Sequence, residues 1–300
     1  MASSNIGYLL AGMAGVLWST MGVLGKIAFR YGIDPLSLVT LRAIIASSTL
    51  ALIMAIVGRK AFKIRAQDVL FFALFGLVGV TFNYSSYFYA IKLTTVATAV
   101  ILLYTYPAFV TILSYHLFGE RIGIIKLIAL ILTFMGCALV VKVYNAEYLK
   151  LNYLGVIFGL IAGLTAAVYS ILSKLALREY DSSTVVLYAF SFGALFLLAL
   201  SLLTRRSQIT LMPSFPPQVW LIILVIAWLP TLSGYFAYTT SLKYIEASKA
   251  SIVSTIEPVS ASILAYIFLK EVISGFQALG IALVLIGIMM IRLYPASSST

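Results

Sequence analysis

The chain is a succession of apolar runs of about 20 residues broken by short polar stretches, and a run of that length crosses ~30 Å of hydrocarbon as a helix. The runs fall near 6–29, 35–57, 69–91, 94–117, 122–143, 153–177, 184–203, 218–242, 248–269 and 272–293. They predict ten membrane-spanning helices with no soluble domain, low-complexity tract or long linker between them. The two longest connections, Gly58 to Asp68 and Thr204 to Pro217, hold equivalent places in the two halves. Met1 to Asn5 contain no basic residue and no small-residue cleavage site follows, so the first run reads as a retained helix and not a removed signal peptide.

One stretch occurs twice. Ile91 to Ile122 and Leu242 to Ile273 align at a constant offset and share a lysine (Lys92, Lys243), an Ala and an Ile (Ala99 and Ile101, Ala250 and Ile252), a proline (Pro107, Pro258), a tyrosine (Tyr115, Tyr266) and a closing glutamate (Glu120, Glu271). The duplication reaches further. Gly7, Ala11 and Gly15 in the first helix match the spacing of Gly155, Gly159 and Gly163 in the sixth, followed by Lys26 and Lys174. Small residues on one stripe let helix backbones approach closely in lipid, and close packing alone accounts for such a stripe. The fold class expected is an all-α integral membrane protein whose repeats are residues 1–146 and 147–300, one structural unit. Each half has five spans, an odd number, so the second enters the membrane the other way up, as in carriers that alternate access around a midplane site.

Composition agrees. Hydrophobic residues make up 62% of the chain and charged residues 10%, with a mean hydropathy of +1.09; soluble domains carry about a quarter charged residues. The net charge of +11 resides mostly in loop Lys and Arg, which set orientation and meet anionic headgroups, and calls for no nucleic-acid partner. With the N-terminus cytoplasmic, the inside loops gather Arg59, Lys60, Lys63, Arg65, Arg121, Lys126, Lys174, Arg178, Lys243, Lys249 and Arg292. The outside loops hold Lys26, Arg30, Lys92, Lys142, Lys150, Arg205, Arg206 and Lys270. The dense Arg59 to Arg65 cluster places both termini inside. The single Cys137 excludes an intrachain disulfide framework and a cysteine metal cluster, and inside an apolar helix it reads as packing. No metal site and no cofactor are expected.

Chemistry concentrates in a few places. Pro107 and Pro258 deprive the carbonyls of Leu103 and Ser254 of their helical donors, so the fourth and ninth helices should bend or loosen near mid-membrane, either as packed static kinks or as hinges or site-lining breaks, and the matched positions favour the latter. Glu257 is the one acidic residue clearly deep in a span, where an ionisable group by default marks a site; it suits a substrate amine, a proton, or a neutral hydrogen-bonded structural role. Its counterpart in the first half is Tyr106. Arg42 lies close enough to the start of the second helix to snorkel toward the membrane surface, and that reading is set beside a substrate role. Phe82 to Tyr89 (FNYSSYFY) and Ser233 to Ser241 (SGYFAYTTS) match at Tyr84 with Tyr235 and at Tyr87 with Tyr238. The latter pair can equally be interfacial belt residues. Asn83, Tyr84 and Tyr235 lie deeper and, with Trp18, Tyr104 and Tyr169, are expected to line a cavity for apolar or aromatic side chains. His116, at a helix end, reads as an interfacial residue.

Ten spans in two five-helix halves, with the doubled pattern Pro107 to Glu120 and Pro258 to Glu271, resemble the drug/metabolite transporter superfamily and within it the EamA-like branch. The resemblance covers nearly the whole chain. It implies an inner-membrane carrier, often an exporter of amino acids or related metabolites, with helices one, three, four, six, eight and nine around a central cavity and helices five and ten outside it. The tyrosine-rich lining is similar to what an aromatic-amino-acid exporter of the YddG type needs. The resemblance thus implies a small-molecule partner, membrane lipid around it, and protons as an open question. Competing readings are a drug or hydrophobic-cation efflux carrier and a phosphometabolite carrier. The second would need several cavity cations for phosphate, whereas only Arg42 is deep. An enzyme would need a catalytic set, and one His, one Cys and no close intramembrane carboxylate pair supply none. A channel would not need the inverted duplication.

Overall fold

The computed structural model describes residues 2–145, 152–204 and 215–293, and these are helical, with no strand among them. The helices are α1 (Ala2–Arg30) and α2 (Pro35–Val57), α3 (Ala66–Leu93) and α4 (Val96–Phe118), α5 (Ile124–Val140), α6 (Tyr153–Ala176) and α7 (Ser182–Thr204), α8 (Pro217–Ser241) and α9 (Ala247–Phe268), and α10 (Gly275–Leu293). Among the described residues nine helices are long and apolar enough to cross a membrane; α5, at 17 residues, is a shorter apolar helix. The chain is a multi-pass membrane protein. Lys150, Arg205, Arg206, the junction at 146/147 and most of the connection after Thr204 lie outside the described residues.

Local chemistry sets the ends. Asp34 caps α2, its Oδ1 accepting from the N–H groups of Leu36 and Ser37 at 3.0 and 3.2 Å, with Pro35 at the first position where a missing N–H costs nothing. Asn152 does the same for α6 by accepting from Gly155 N–H at 3.1 Å. The matched closing turns of α4 and α9 are left-handed, at Gly119 (φ +66°) and Lys270 (φ +59°).

Packing follows the small residues. A Cβ on Gly136 of α5 would sit 2.7 Å from the carbonyl of Gly280 on α10, and one on Gly280 would sit 2.6 Å from the carbonyl of Gly136, so these backbones are in contact as only glycine allows. α5 and α10 pack chiefly on each other. In the remaining eight helices α1 packs on α8 and α9 while its counterpart α6 packs on α3 and α4; each half's first helix therefore lies against the other half. Leu9, Ile56, Leu203, Phe268 and Met289 are among many exposed apolar side chains, an outer surface suited to lipid.

Each proline helix is interrupted just ahead of its proline. α4 stops at Leu103 and restarts at Tyr106; α9 stops at Ser254 and restarts at Ile256. Pro107 and Pro258 therefore fall in the first turn of a new segment, where no backbone donor is lost. The interruptions are closed by threonine: Thr105 Oγ1 and Thr255 Oγ1 donate to the carbonyls of Leu102 and Ile252, both at 2.6 Å. α3 and α8 hold a second matched irregularity absent from the sequence reading. Gly76–Phe82 and Ala227–Ser233, 151 residues apart, are both wound as π-helix, the latter around Pro230.

Candidate functional site

The two interruptions are pinned by the small-residue stripes. A Cβ on Gly15 would lie 2.5 Å from the carbonyl of Ser254 and 3.2 Å from the backbone nitrogen of Glu257; one on Gly163 would lie 2.9 and 3.3 Å from the carbonyls of Leu102 and Leu103. α1 thus seats against the break in α9, and α6 against the break in α4. Glu257 is held in mid-span at that seat, partly buried, and engages in no hydrogen bond or ion pair among the described residues. Tyr106, its counterpart, crosses from α4 to the same break and donates or accepts at Ser254 Oγ (2.5 Å) while meeting the carbonyl of Ser251 at 2.9 Å.

An aromatic cluster built from both halves gathers on Trp18 of α1. The hydroxyls of Tyr84 and Tyr235, matched positions in the duplication, bond to each other at 2.9 Å. Trp18 packs on Tyr235 and Tyr238 with ring centroids 5.1 and 5.3 Å apart. Tyr169 packs edge-on against Tyr235 (5.0 Å) and Phe75 (5.1 Å), and its hydroxyl meets Thr239 Oγ1 at 3.2 Å. Phe190 closes the far side at 4.9 Å from Tyr235. Trp18 Nε1 is buried without a hydrogen-bond partner among the described residues, and it sits where a Cβ on Gly234 would intrude. A buried indole N–H without an acceptor is an unspent donor.

Of the residues singled out in sequence, Trp18, Tyr84, Tyr169 and Tyr235 meet in this cluster. Tyr104 is buried in the interruption of α4, within electrostatic range of Glu257. Asn83 is set apart from the rings: its amide donates to the carbonyl of Ala162 at 2.8 Å and reaches Thr165 Oγ1 at 3.4 Å, a bond that ties α3 to α6. Tyr238 corrects the belt alternative, being 1% exposed and bonded through its hydroxyl to Ser170 at 2.8 Å. Arg42 corrects the snorkelling reading. It is 4% exposed, with its guanidinium carbon 4.1 Å above the Tyr84 ring. His116 is exposed at the end of α4 and stacks edge-on with Tyr115. Ser251 and Ser254, which receive Tyr106, went unremarked; their signal was the run Ser248, Ser251, Ser254 at helical spacing along α9.

At the end of α4 the polar chemistry is dense. Glu120 accepts from the backbone N–H groups of Ala247 (2.8 Å) and Ser248 (3.2 Å), takes a very short bond from Ser248 Oγ, and pairs with Lys174 at 3.3 Å. Lys126, 1% exposed, donates to Glu246 at 2.7 Å and lies 3.9 Å from Glu120. Lys249 pairs with Glu246 at 3.3 Å. Lys126 and Lys249 were expected in loops; they are buried because these carboxylates compensate them. A cavity of about 500 Å³ opens beside the group, lined by Glu120, Arg121, Lys174, Arg178, Lys243 and Glu246 among others.

An all-helical membrane protein with matched interrupted helices around a central aromatic cluster belongs to the class of polytopic carriers, and comparison with known proteins narrows this. The EamA-like transporter family matches over residues 5–142 and again over 153–293. The chain belongs to that family; it is a membrane transporter of small substrates and not an enzyme. An uncharacterized transporter of Clostridium kluyveri is 27% identical over 290 residues, covering 94% of this chain and 91% of the relative. One from Archaeoglobus fulgidus is 31% identical over 206 residues, 69% of this chain and 70% of its own. The uncharacterized inner membrane transporter YicL of Salmonella typhimurium is 25% identical over 296 residues, 98% and 97% respectively. A solved crystal structure superposes with a TM-score of 0.81 at 20% identity over 96% of each chain, a likeness of fold.

Proposed function

We propose that the protein exports small neutral metabolites, amino acids foremost, across the inner membrane by alternating access, its two five-helix halves (1–146 and 147–300) lying inverted with both termini cytoplasmic. The observation that carries this reading is Glu257, an unpaired carboxylate held in mid-span at a helix break seated on α1, with Tyr87, Tyr104 and Tyr106 in electrostatic range and Trp18 of the same α1 leading to a ring cluster with Tyr84, Tyr169 and Tyr235. A carboxylate there suits a substrate ammonium or a proton, and the rings suit an apolar or aromatic side chain. Helices interrupted at matched places are where carriers of inverted repeats bind and move, with Pro107 and Pro258 starting the segments that swing.

The same acid and rings also fit a hydrophobic cation, which an aromatic face attracts as well, so efflux of such compounds is the second reading. The test is uptake into proteoliposomes of labelled Trp, Phe, Met and Thr and, separately, of a labelled aromatic ammonium ion, each with and without a pH gradient. Saturable uptake competed by other amino acids and lost in Glu257→Gln supports the amino-acid reading. Transport of the cation with no amino-acid uptake replaces it with the second, and wild-type amino-acid uptake by Glu257→Gln removes the role given to Glu257.

A further inference from the structure

Resting on that carrier reading, we propose that Arg42 is the carboxylate anchor of the substrate site.

Arg42 is 4% exposed and has no carboxylate partner among the described residues. Its Nη1 reaches the thioether sulfur of Met21 at 3.4 Å, a weak acceptor, and its Nε is buried with no hydrogen-bond partner among the described residues. The Tyr84 ring under it, 4.1 Å away, attracts the charge through its π face but accepts no conventional hydrogen bond. A guanidinium offers five N–H donors in a planar fork. Burying that fork unpaired is costly unless something fills it for part of the cycle. The group that matches it is a planar anion taking two parallel N–H bonds, a carboxylate above all. Phosphate is the other anion of that kind, but a phosphate site gathers several cations, and no second Lys or Arg joins Arg42 in the contacts described.

Arg42 and the backbone of Glu257 both meet α1. Gly15 seats the backbone of Glu257, Trp18 packs on Tyr235 and Tyr238, and Met21 contacts Arg42. The three lie three residues apart, each turned about 60° from the last, so they wind around α1 and the first and third face about 120° apart. Trp18 lies between Gly15 and Met21 along α1, and its buried, unpartnered Nε1 is a further donor near Arg42's level of the helix.

The experiment uses the full chain in proteoliposomes, with labelled phenylalanine as cargo and three competitors: phenylalaninamide, which lacks the carboxylate charge; phenethylamine, which lacks the carboxylate; and 3-phenylpropionate, which lacks the ammonium. The wild type should favour phenylalanine over its amide by about ten- to hundredfold, the weight of a hydrogen bond to a charged group. Arg42→Gln should bind the two alike, and Arg42→Lys, charged but without the fork, should fall between. An undiminished preference for the carboxylate in Arg42→Gln overturns the proposal. Folding is checked by elution and thermal midpoint in detergent, and should Arg42→Gln not fold, Arg42→Lys decides on the same criterion. Failure of the carrier reading is seen separately. If the wild type takes up no amino acid, thermal stabilisation of the purified protein by 3-phenylpropionate is compared between wild type and variant. Stabilisation of the wild type alone keeps Arg42 as the anchor for a simple carboxylate and discards the amino-acid cargo; no Arg42-dependent stabilisation discards the anchor.

Discussion

Glu120 and Glu271 close the two copies of one repeated stretch, 151 residues apart, and live in opposite surroundings. The Glu120 side chain is 5% exposed and is engaged by two backbone N–H groups at the start of α9, by Ser248 and by Lys174, with Lys126 close by. The Glu271 side chain is 50% exposed and meets Lys26, itself 61% exposed, at 3.2 Å. The positions facing each glutamate differ in the same sense. Glu246, Lys249 and Lys126 correspond through the offset to Thr95, Thr98 and Gln277, so where one end has charges the other has neutral groups. There Thr95 caps the start of α4 by accepting from Thr98 N–H at 3.1 Å, and Gln277 donates to the carbonyl of Val140 at 3.0 Å. What differs is how each helix start is satisfied: α9 by a glutamate from the other half, α4 by its own threonine. A cap borrowed from the opposite half couples the halves; a local cap leaves them independent.

The comparison is broken most directly at Lys126. Lys126→Met leaves Glu120 and Glu246 short of a buried counter-charge, and stability should fall by about 3–5 kcal/mol, read as a lower denaturation midpoint in detergent or as loss of a monodisperse peak. A midpoint within a degree of wild type would show that the buried charges contribute nothing at that end. Acidification probes the same group less severely. Burial alone would raise the pKa of Glu246, but the ammonium groups of Lys126 and Lys249 outweigh it and hold the carboxyl below its ordinary value. A depressed carboxylate adds stability above its unfolded pKa and loses it as pH falls through the folded one. The thermal midpoint should therefore drop as pH falls below the ordinary glutamate value, and Lys249→Gln should flatten that drop. The smallest effect belongs to the other end. Glu271→Gln removes an exposed ion pair and should change stability by about 0–1 kcal/mol, fading with added salt. A loss matching that of Lys126→Met would mean the two ends are not as unlike as their burial.

Much of this was legible in the chain. The apolar runs marked the spans closely, because lipid imposes a length and a composition on every crossing segment. The repeat picked out the pairs that matter, Tyr84 with Tyr235 and Gly15 with Gly163, because a duplicated fold reuses the same contacts. The charges were read less well. Counting Lys126 and Lys249 as loop cations assumed that a basic residue near a helix end faces water, whereas their partners Glu120 and Glu246 come from segments distant in sequence. Asn83 was read from its depth alone, and its bond to the carbonyl of Ala162 at 2.8 Å comes from a segment the sequence could not place beside it. Each break falls between the carbonyl and the proline picked out in sequence, but the sequence tells only which donor is missing and not that Thr105 and Thr255 would close the turn.

The paired π-helical segments have a further consequence, for what the gene can tolerate. A π-helical turn is an α-helix carrying an added residue, and each residue advances a helix by about 100°. Deleting one residue within 76–82 would return that segment to an ordinary winding and rotate everything after it by roughly that angle, swinging Tyr84 away from Tyr235 while α3 stayed helical and apolar. Single-residue deletions within 76–82 or 227–233 would therefore leave a protein that still reads as a good membrane helix at every position, yet has lost the meeting of its two halves.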